Sequence, residues 1–168
     1  LFASLGNNNW HESYLIGKDM VEIKVNHFIP NPVEVIKDNP EGSPMLKVVM
    51  SGGEGREEYF ITQGETRTIR NVTFNFTNTL IDGAINIANS NDSLLINSDD
   101  LLTQMVMATR QVDTLYPSAG YYPLKFRSLY SNGIDNFVFA EFNKNGTVHI
   151  ESKNRKVNSE SMVALKLE

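Results

Sequence analysis

The feature that most constrains the fold of this chain is residues 124–152, where alternating runs are separated by segments containing asparagine and glycine. Every second side chain of Leu124–Tyr130 falls on the same side of an extended chain, and Phe137–Phe142 alternates in the same way. The segment Asn143–Gly146 then leads into a third run, Thr147–Ser152. Alternating runs rich in aromatic and β-branched residues, punctuated by Asn-Gly, are typical of consecutive hairpins. We therefore predict a three-stranded meander in the middle of a sheet.

Similar runs recur through the rest of the chain about every ten to fifteen residues, which is the spacing expected of a sandwich or barrel. The runs predicted as strands are Met20–Asn26, Val33–Lys37, Met45–Met50, Glu57–Thr62, Thr66–Thr77, Ala84–Ala88, Ser93–Asn97 and Met162–Leu167. The proline- and glycine-rich segments predicted as loops are Asn39–Pro44, Ser51–Gly55 and Tyr116–Pro123. Residues 1–19 fit either a leading edge strand or an ordered arm. The predicted fold class is all-β, an antiparallel β-sandwich or barrel-like meander with at most one short helix.

The segment Ser98–Asp113 fits two structures. Asp99 or Asp100 fits the cap of a helix with leucine, methionine and alanine at positions 101, 102, 105 and 108 on one face. In a strand, positions 101, 103, 105 and 107 would instead line one side. Because the neighbouring segments are predicted strands, we favour the strand.

The length and composition of the chain exclude several classes of protein. A chain of 168 residues fits a single domain, residues 1–168, which needs no disulfide or metal to be stable. The absence of cysteine excludes thiol catalysis and thiolate zinc sites. A net charge of −5 argues against nucleic-acid binding. Because the chain begins at Leu1 and has no apolar run long enough to span a membrane, we interpret it as a domain excised from a larger membrane protein.

Three histidines, His11, His27 and His149, are the only candidates for cofactor binding, and each is a weak one. Their spacing is not that of a metal site, so no metal site is predicted. His27 and His149 lie in predicted strands, where a surface position or a cross-strand partner is the simpler interpretation. His11 lies beside Trp10 in a predicted loop, where the two rings are placed to stack on a planar ligand.

No catalytic residue is predicted. Glu57 and Glu58 are neighbours in a predicted strand and point to opposite faces, so by themselves they cannot form an acid–base pair. The pair Asp99–Asp100 is explained by a turn or cap, and no serine lies in a GxSxG motif. The loop Ser51–Gly55 lacks the lysine of a phosphate-binding loop.

Two groups of side chains are candidate surfaces for binding. One is a basic set near the C-terminus, consisting of Lys144, Lys153, Arg155 and Lys156. It is either solvated surface or a docking patch for an acidic partner or a ligand with propionate groups. The other is an aromatic set, Tyr116, Tyr121 and Tyr122, which forms an exposed strip or anchors a loop. Glycosylation sequons, which matter only in a glycosylating host, begin at Asn71, Asn75, Asn91 and Asn145.

A family resemblance is carried by the order of several stretches rather than by one motif. The stretches are Val21–Val25 running into Pro32–Ile36, Glu58–Ile61 followed by Gly64-Glu65, Asp82–Ile87, and Arg127–Tyr130 leading to Phe137–Phe139. Taken together they resemble the ResB/CcsB-type extracytoplasmic domain of system II cytochrome c biogenesis proteins, in particular the ResB–CcsA fusions of Bacteroidetes. The resemblance covers the chain from about Gly6 onward.

The resemblance implies a place in the membrane machine that exports haem and attaches it to CxxCH motifs of apocytochrome c. It implies a location at the extracytoplasmic (periplasmic) face of the inner membrane, between transmembrane helices of the parent chain. The haem-handling residues of the family do not map onto this segment, so no cofactor is expected in this domain.

The expected function is therefore that of a non-catalytic domain that docks apocytochrome c or another biogenesis subunit. An extended segment of the partner would add to an exposed strand edge, for which Val33–Lys37 is one candidate. The alternative is a ligand- or glycan-binding β-sandwich module of an envelope lipoprotein.

Overall fold

The computed structural model describes residues 10–25, 29–52, 55–90, 93–117, 120–153 and 163–164. The strands of this part of the chain, in order, are β1 (Trp10–Ile16), β2 (Asp19–Val25), β3 (Ile29–Pro30), β4 (Pro32–Gly52), β5 (Gly55–Thr62), β6 (Thr66–Ile69), β7 (Val72–Asn75), β8 (Ile85–Ser90), β9 (Ser93–Asn97), β10 (Leu102–Val106), β11 (Val112–Leu115), β12 (Tyr122–Pro123), β13 (Ser128–Ser131), β14 (Asn136–Ser152) and β15 (Val163–Ala164). The chain divides into two compact units, one formed by residues 1–37 and 148–168 and the other by residues 38–147.

The unit of residues 38–147 is built from two sheets. The six-stranded sheet has the order β11-β10-β13-β14-β4-β5, and the five-stranded sheet has the order β12-β9-β8-β7-β6. The described strand pairs are antiparallel except for β7 and β8, which run parallel. Because β7 and β8 are parallel neighbours, the chain must cross from one end of the sheet to the other between Asn75 and Ile85.

Aromatic side chains from both sheets form the core between them. Phe74 of β7 meets Phe137 and Phe139 of β14 edge-on, with ring centroids 5.1 and 6.1 Å apart. Tyr130 of β13 stacks on Phe137 at 5.6 Å, and all four rings are fully buried. The core between two packed sheets defines a sandwich, so the prediction of an all-β antiparallel sandwich is confirmed.

A pair of buried amides, Asn75 and Asn86, holds the crossing between β7 and β8. The Asn75 Nδ2 donates to Asn86 Oδ1 at 2.6 Å and to the Thr79 carbonyl at 2.7 Å. Asn86 in turn accepts from the Ile81 N–H and donates to the Ile81 and Ala84 carbonyls. The loop thus replaces missing ladder partners with side-chain amides, which satisfies polar groups that burial would otherwise leave unpaired.

Two predicted turns are wrong, because β4 and β14 run through them without a break. Asn39–Pro44 lies inside β4, and Asn143–Gly146 lies inside β14. The glycines there serve a close approach of two neighbouring strands. A Cβ on Gly42 would lie 2.6 Å from the Gly146 carbonyl oxygen. The predicted meander therefore has one hairpin, in which Tyr130 pairs with Phe137, and its third strand is the continuation of the second.

Three other predictions about this unit are confirmed. Met45–Gly52 pairs with Gly55–Thr62 as a hairpin, and β8 pairs with β9 as a second hairpin. The segment Ser98–Asp113 contains strand β10, a turn and the start of β11, with no helix among its residues. The buried side chains of β10 are Leu102 and Gln104, so the side that carries Thr103 and Met105 faces away from the core.

The unit of residues 1–37 and 148–168 contains a hairpin and a short strand pair. β1 and β2 pair from Trp10 with Val25 to Ile16 with Asp19, around a turn at Gly17. This confirms the predicted strand at Met20–Val25. In the leading segment, residues 10–16 form a strand. On β2, Met20 is 69% exposed and Val21 is 38% exposed, whereas Ile23 is half-buried. Of the predicted final strand, β15 is described and pairs with β3.

Candidate binding surfaces

A cavity on the six-stranded sheet has a volume of about 530 Å³, which lies within the range of about 300–1,000 Å³ typical of small-molecule sites. Its floor is formed by the aliphatic side chains of Val49, Leu129, Val138 and Ala140. Val138 and Ala140 alternate along β14 with two core phenylalanines, so the floor belongs to the outer face of the sheet. We call this site the arginine cavity, because Arg56 and Arg127 also line it.

The two arginines of the arginine cavity differ in their partners. Arg56 forms an ion pair with Glu58 at 3.1 Å, and Glu58 also binds Lys47. The Lys47 hydrogen bond holds the pKa of Glu58 below its usual value, so this carboxylate is charged at neutral pH. Arg127 has an exposed side chain, and no ion pair or hydrogen bond joins its guanidinium to another described residue. Arg127 is therefore the arginine of the site that has no described carboxylate partner.

The backbone fixes where Arg127 can reach. Its φ is 53°, in the left-handed region that side-chain-bearing residues rarely adopt. Its N–H donates to the Phe139 carbonyl oxygen at 3.0 Å, which ties the turn before β13 to β14. The start of the Arg127 side chain is thus held at the rim, beside Ala140.

The second candidate surface is an open segment of β4, Asp38–Ser43. In the described part of the chain, β5 pairs only with Met45–Gly52, and the Gln63 N–H closes this ladder on the Pro44 carbonyl at 2.7 Å. On the N-terminal side of Pro44, β4 has β14 as a neighbour on one side and no described strand on the other. A depression of about 400 Å³, lined in part by Ser43, Pro44 and Gln63, lies where β5 ends. The open segment therefore has no described strand on the side in line with β5, and within it the Glu41 N–H donates to Asn39 Oδ1 at 3.1 Å.

The outer edge of β5, by contrast, is covered by arginine side chains from the β6–β7 hairpin. Arg67 donates to the Phe60 carbonyl oxygen at 2.8 Å, and its guanidinium lies 5.6 Å from the Tyr59 ring centroid. Arg70 donates to the Ser51 carbonyl oxygen at 2.9 Å. Charged side chains on an edge strand oppose pairing with another chain. The arginine side chains therefore disfavour the addition of a partner strand at the edge of β5.

The predicted histidine candidates are not brought together by the described structure. His11 lies in β1, and its Nε2 is 3.0 Å from the Glu22 carboxylate on β2. Of the two structures predicted for residues 1–19, a strand or an arm, the strand is the one found at His11. His149 lies in β14 with an exposed side chain, as a surface position. His27 and the side chain of Trp10 lie outside the described residues.

The carboxylates that were considered for catalysis serve structural contacts. The Tyr59 hydroxyl donates to Glu57 at 2.6 Å and Arg70 binds the same carboxylate at 2.8 Å, and both lower the pKa of Glu57. Asp99 accepts from the N–H of Gly83, sixteen residues earlier, at 2.7 Å and so fixes the turn that precedes β8. Among the described residues, no group of three or more histidines and carboxylates is arranged to hold a metal ion.

Of the predicted aromatic set, one tyrosine anchors a loop and the other two are exposed. The Tyr122 hydroxyl accepts from the Tyr116 N–H at 2.9 Å and so anchors the loop that precedes β12. Tyr116 and Tyr121 are 56% and 42% exposed. Of the predicted basic set, Lys144 and Lys153 are exposed, whereas Arg155 and Lys156 lie outside the described residues.

In the described part of the chain, helices with the length and apolarity needed to cross a membrane are absent. No protein-family model, curated protein or solved structure matches the chain significantly.

Sequence reasoning missed the arginine cavity because its residues come from five separate segments of the chain. The available signal was the apolar character of both sides of the strands in residues 124–152. Val138 and Ala140 alternate with Phe137 and Phe139, which is unusual for a sheet with one solvated face.

Proposed function

We propose that this chain is a non-catalytic docking domain that takes up an extended segment of a partner polypeptide along β4. The observation that carries the proposal is the difference in length between β4 and its partner β5. β4 runs from Pro32 to Gly52, whereas the ladder with β5 covers Met45–Gly52 alone. A strand added beside Asp38–Ser43 would continue the line of β5 and form a second ladder on β4 at this position, opposite β14.

Backbone pairing suits a partner whose sequence varies. Main-chain hydrogen bonds give affinity that depends little on the side chains of the added strand. Pro40 lies within the open segment and has no N–H to offer, so it limits how many ladder bonds an added strand forms. We expect weak and reversible binding from so short an edge.

In the context that the family resemblance implies, the partner is apocytochrome c or another subunit of the biogenesis complex. The domain then lies at the extracytoplasmic (periplasmic) face of the inner membrane, between transmembrane helices of the parent protein. In this proposal haem is handled by the parent complex, and the domain itself holds no cofactor. The absence of a catalytic role is part of the proposal, and it is supported by the structural partners of Glu57 and Asp99.

Titration of the ¹⁵N-labelled chain with a peptide tests this function. The peptide would span a Cys-x-x-Cys-His segment of an apocytochrome, with serine in place of each cysteine. We expect amide shifts and slowed hydrogen exchange confined to Asp38–Ser43 and the neighbouring β14 residues. Saturable shifts elsewhere, or none at all, would rule out docking at β4.

N-methylated peptides supply a control that leaves the protein unchanged. Methylation of alternate amides blocks the ladder on one edge of the peptide and spares the other edge. Of two peptides methylated in opposite registers, only one should lose binding. Equal loss in both would show that side chains, and not backbone pairing, hold the peptide.

A second candidate function, glycan binding, is favoured by one observation. Tyr116 and Tyr121 present exposed rings on the loop before β12, and sugar faces stack on such rings. Calorimetric titration with soluble cell-envelope oligosaccharides tests it. Binding that is lost in both Tyr116→Ala and Tyr121→Ala would favour this function over peptide docking.

A further inference from the structure

We propose that the arginine cavity is a binding site for a small apolar carboxylate, such as a medium-chain fatty acid. The site lies on the outer face of the six-stranded sheet, whereas peptide docking concerns the edge of β4. A negative result for one of these proposals therefore leaves the other unaffected. The inference rests on three observations: the aliphatic floor, the unpaired guanidinium of Arg127 and the volume of the cavity.

The floor is suited to an apolar chain rather than to a polar ligand. Val49, Leu129, Val138 and Ala140 present only aliphatic groups, although they lie on the face of the sheet that is turned away from the core. Val49 is 7% exposed in spite of this position. An apolar body lying on these residues would remove hydrocarbon surface from water on both sides of the contact.

The charge at the rim selects an anion. Glu58 pairs with Arg56 as well as Lys47, whereas Arg127 has no described carboxylate partner, so an incoming carboxylate would meet the free guanidinium of Arg127. A guanidinium presents paired N–H donors that match the two oxygens of one carboxylate. One unpaired guanidinium at the rim therefore matches the single carboxylate of a ligand whose remaining part is apolar.

The volume sets the size class of the ligand. Sites for small molecules measure about 300–1,000 Å³, and the arginine cavity, at about 530 Å³, lies in the lower half of this range. A chain of about ten carbons with one head group fits such a site. Decanoate is therefore the probe of choice.

Isothermal titration of the full chain with decanoate, decanol and decyltrimethylammonium tests the proposal, each below its micelle concentration. We expect saturable binding of decanoate at one site, with decanol at least about tenfold weaker because it lacks the charge-assisted hydrogen bonds. The cation should not bind. Equal affinity for decanoate and decanol would overturn the role of Arg127, and no binding of decanoate would overturn the site.

The variant Arg127→Gly removes the charge without adding backbone strain, because glycine adopts a positive φ freely. Arg110→Gly is a matched control: Arg110 has a φ of 59° and also lies in a turn, but it does not line the cavity. We expect decanoate binding to weaken at least about tenfold in Arg127→Gly and to stay unchanged in Arg110→Gly.

A third variant, Val138→Asp, places a carboxylate on the floor and should abolish decanoate binding. Its ¹⁵N spectrum, compared with that of the parent chain, establishes whether the fold is kept. If Val138→Asp fails to fold, the comparison of decanoate binding by Arg127→Gly and Arg110→Gly still tests the proposal. Equal effects of these two arginine variants would refute the proposal.

Discussion

Tyr130 makes the stability of this protein depend on pH in the alkaline range. The side chain is fully buried, and burial raises its pKa from 10.0 to about 12. Below about pH 10 the phenol is protonated in the folded and the unfolded chain, so its contribution to stability is fully present. As the pH rises from 10 to about 12, the unfolded chain releases the proton while the folded chain retains it, and stability falls.

The size of the loss follows from the difference between the two pKa values. A shift of about 2 units, at about 1.4 kcal/mol per unit, corresponds to a total loss of about 2.7 kcal/mol, of which about 1.9 kcal/mol falls between pH 10 and pH 12. The variant Tyr130→Phe removes this titration. It also removes the hydrogen bonds of the hydroxyl with the Lys125 N–H and carbonyl, at 2.8 and 3.1 Å, so it should be less stable at neutral pH by about 1–3 kcal/mol.

Urea unfolding of both proteins at a series of alkaline pH values, followed by circular dichroism, measures the effect. The advantage of the parent chain over Tyr130→Phe should shrink by about 1.9 kcal/mol from pH 10 to pH 12. Taking the difference between two proteins cancels the titration of all other groups. An exposed tyrosine variant, Tyr121→Phe, controls for loss of a surface hydroxyl. A difference that stays constant across this range would refute the assignment of the raised pKa to Tyr130.

Three other substitutions test the packing and the edges of the sandwich. Gly42→Ala should destabilise the fold by about 1–3 kcal/mol in urea unfolding, because its Cβ would lie 2.6 Å from the backbone oxygen of Gly146. Phe74→Ala should cost about 3–5 kcal/mol in the same assay, because it opens a cavity between the two sheets. Arg67→Ala should increase self-association measured by light scattering, because it frees the Phe60 carbonyl on the edge of β5.

Each of these three substitutions has a matched control. Ser43→Ala lies beside Gly42 on β4 and has an exposed side chain, Phe126→Ala removes a ring that is 38% exposed, and Arg110→Ala removes an arginine remote from the β5 edge. We expect each control to change stability or association less than its partner. A Gly42→Ala protein as stable as Ser43→Ala would contradict the close approach of β4 and β14.

Side-chain alternation was sufficient to predict most strands, whereas turn composition misled at two places. Asn39–Pro44 and Asn143–Gly146 contain the residues that favour turns, but each segment lies inside a long strand. The reason is that the two segments are neighbours in space. Gly42 and Gly146 allow a close contact between backbones, and local composition cannot distinguish this use of glycine from a turn.

The candidate sites were harder to predict because they depend on which strands become neighbours. Val33–Lys37 was recognised as strand from its alternation, and it lies in β4. The open segment Asp38–Ser43, however, was assigned to a loop. The arginine cavity required the sheet order β13-β14-β4-β5, which local patterns do not specify.

The buried pair Asn75 and Asn86 has a consequence for producing this protein in eukaryotic cells. Asn75-Phe76-Thr77 is an acceptor for N-linked glycans, yet Asn75 is 1% exposed and its amide nitrogen makes two hydrogen bonds in the core. A sugar attached during synthesis, before the sheets close, would occupy the space of those bonds. Secretion from a glycosylating host should therefore yield misfolded protein unless the chain folds before a glycan is transferred to Asn75.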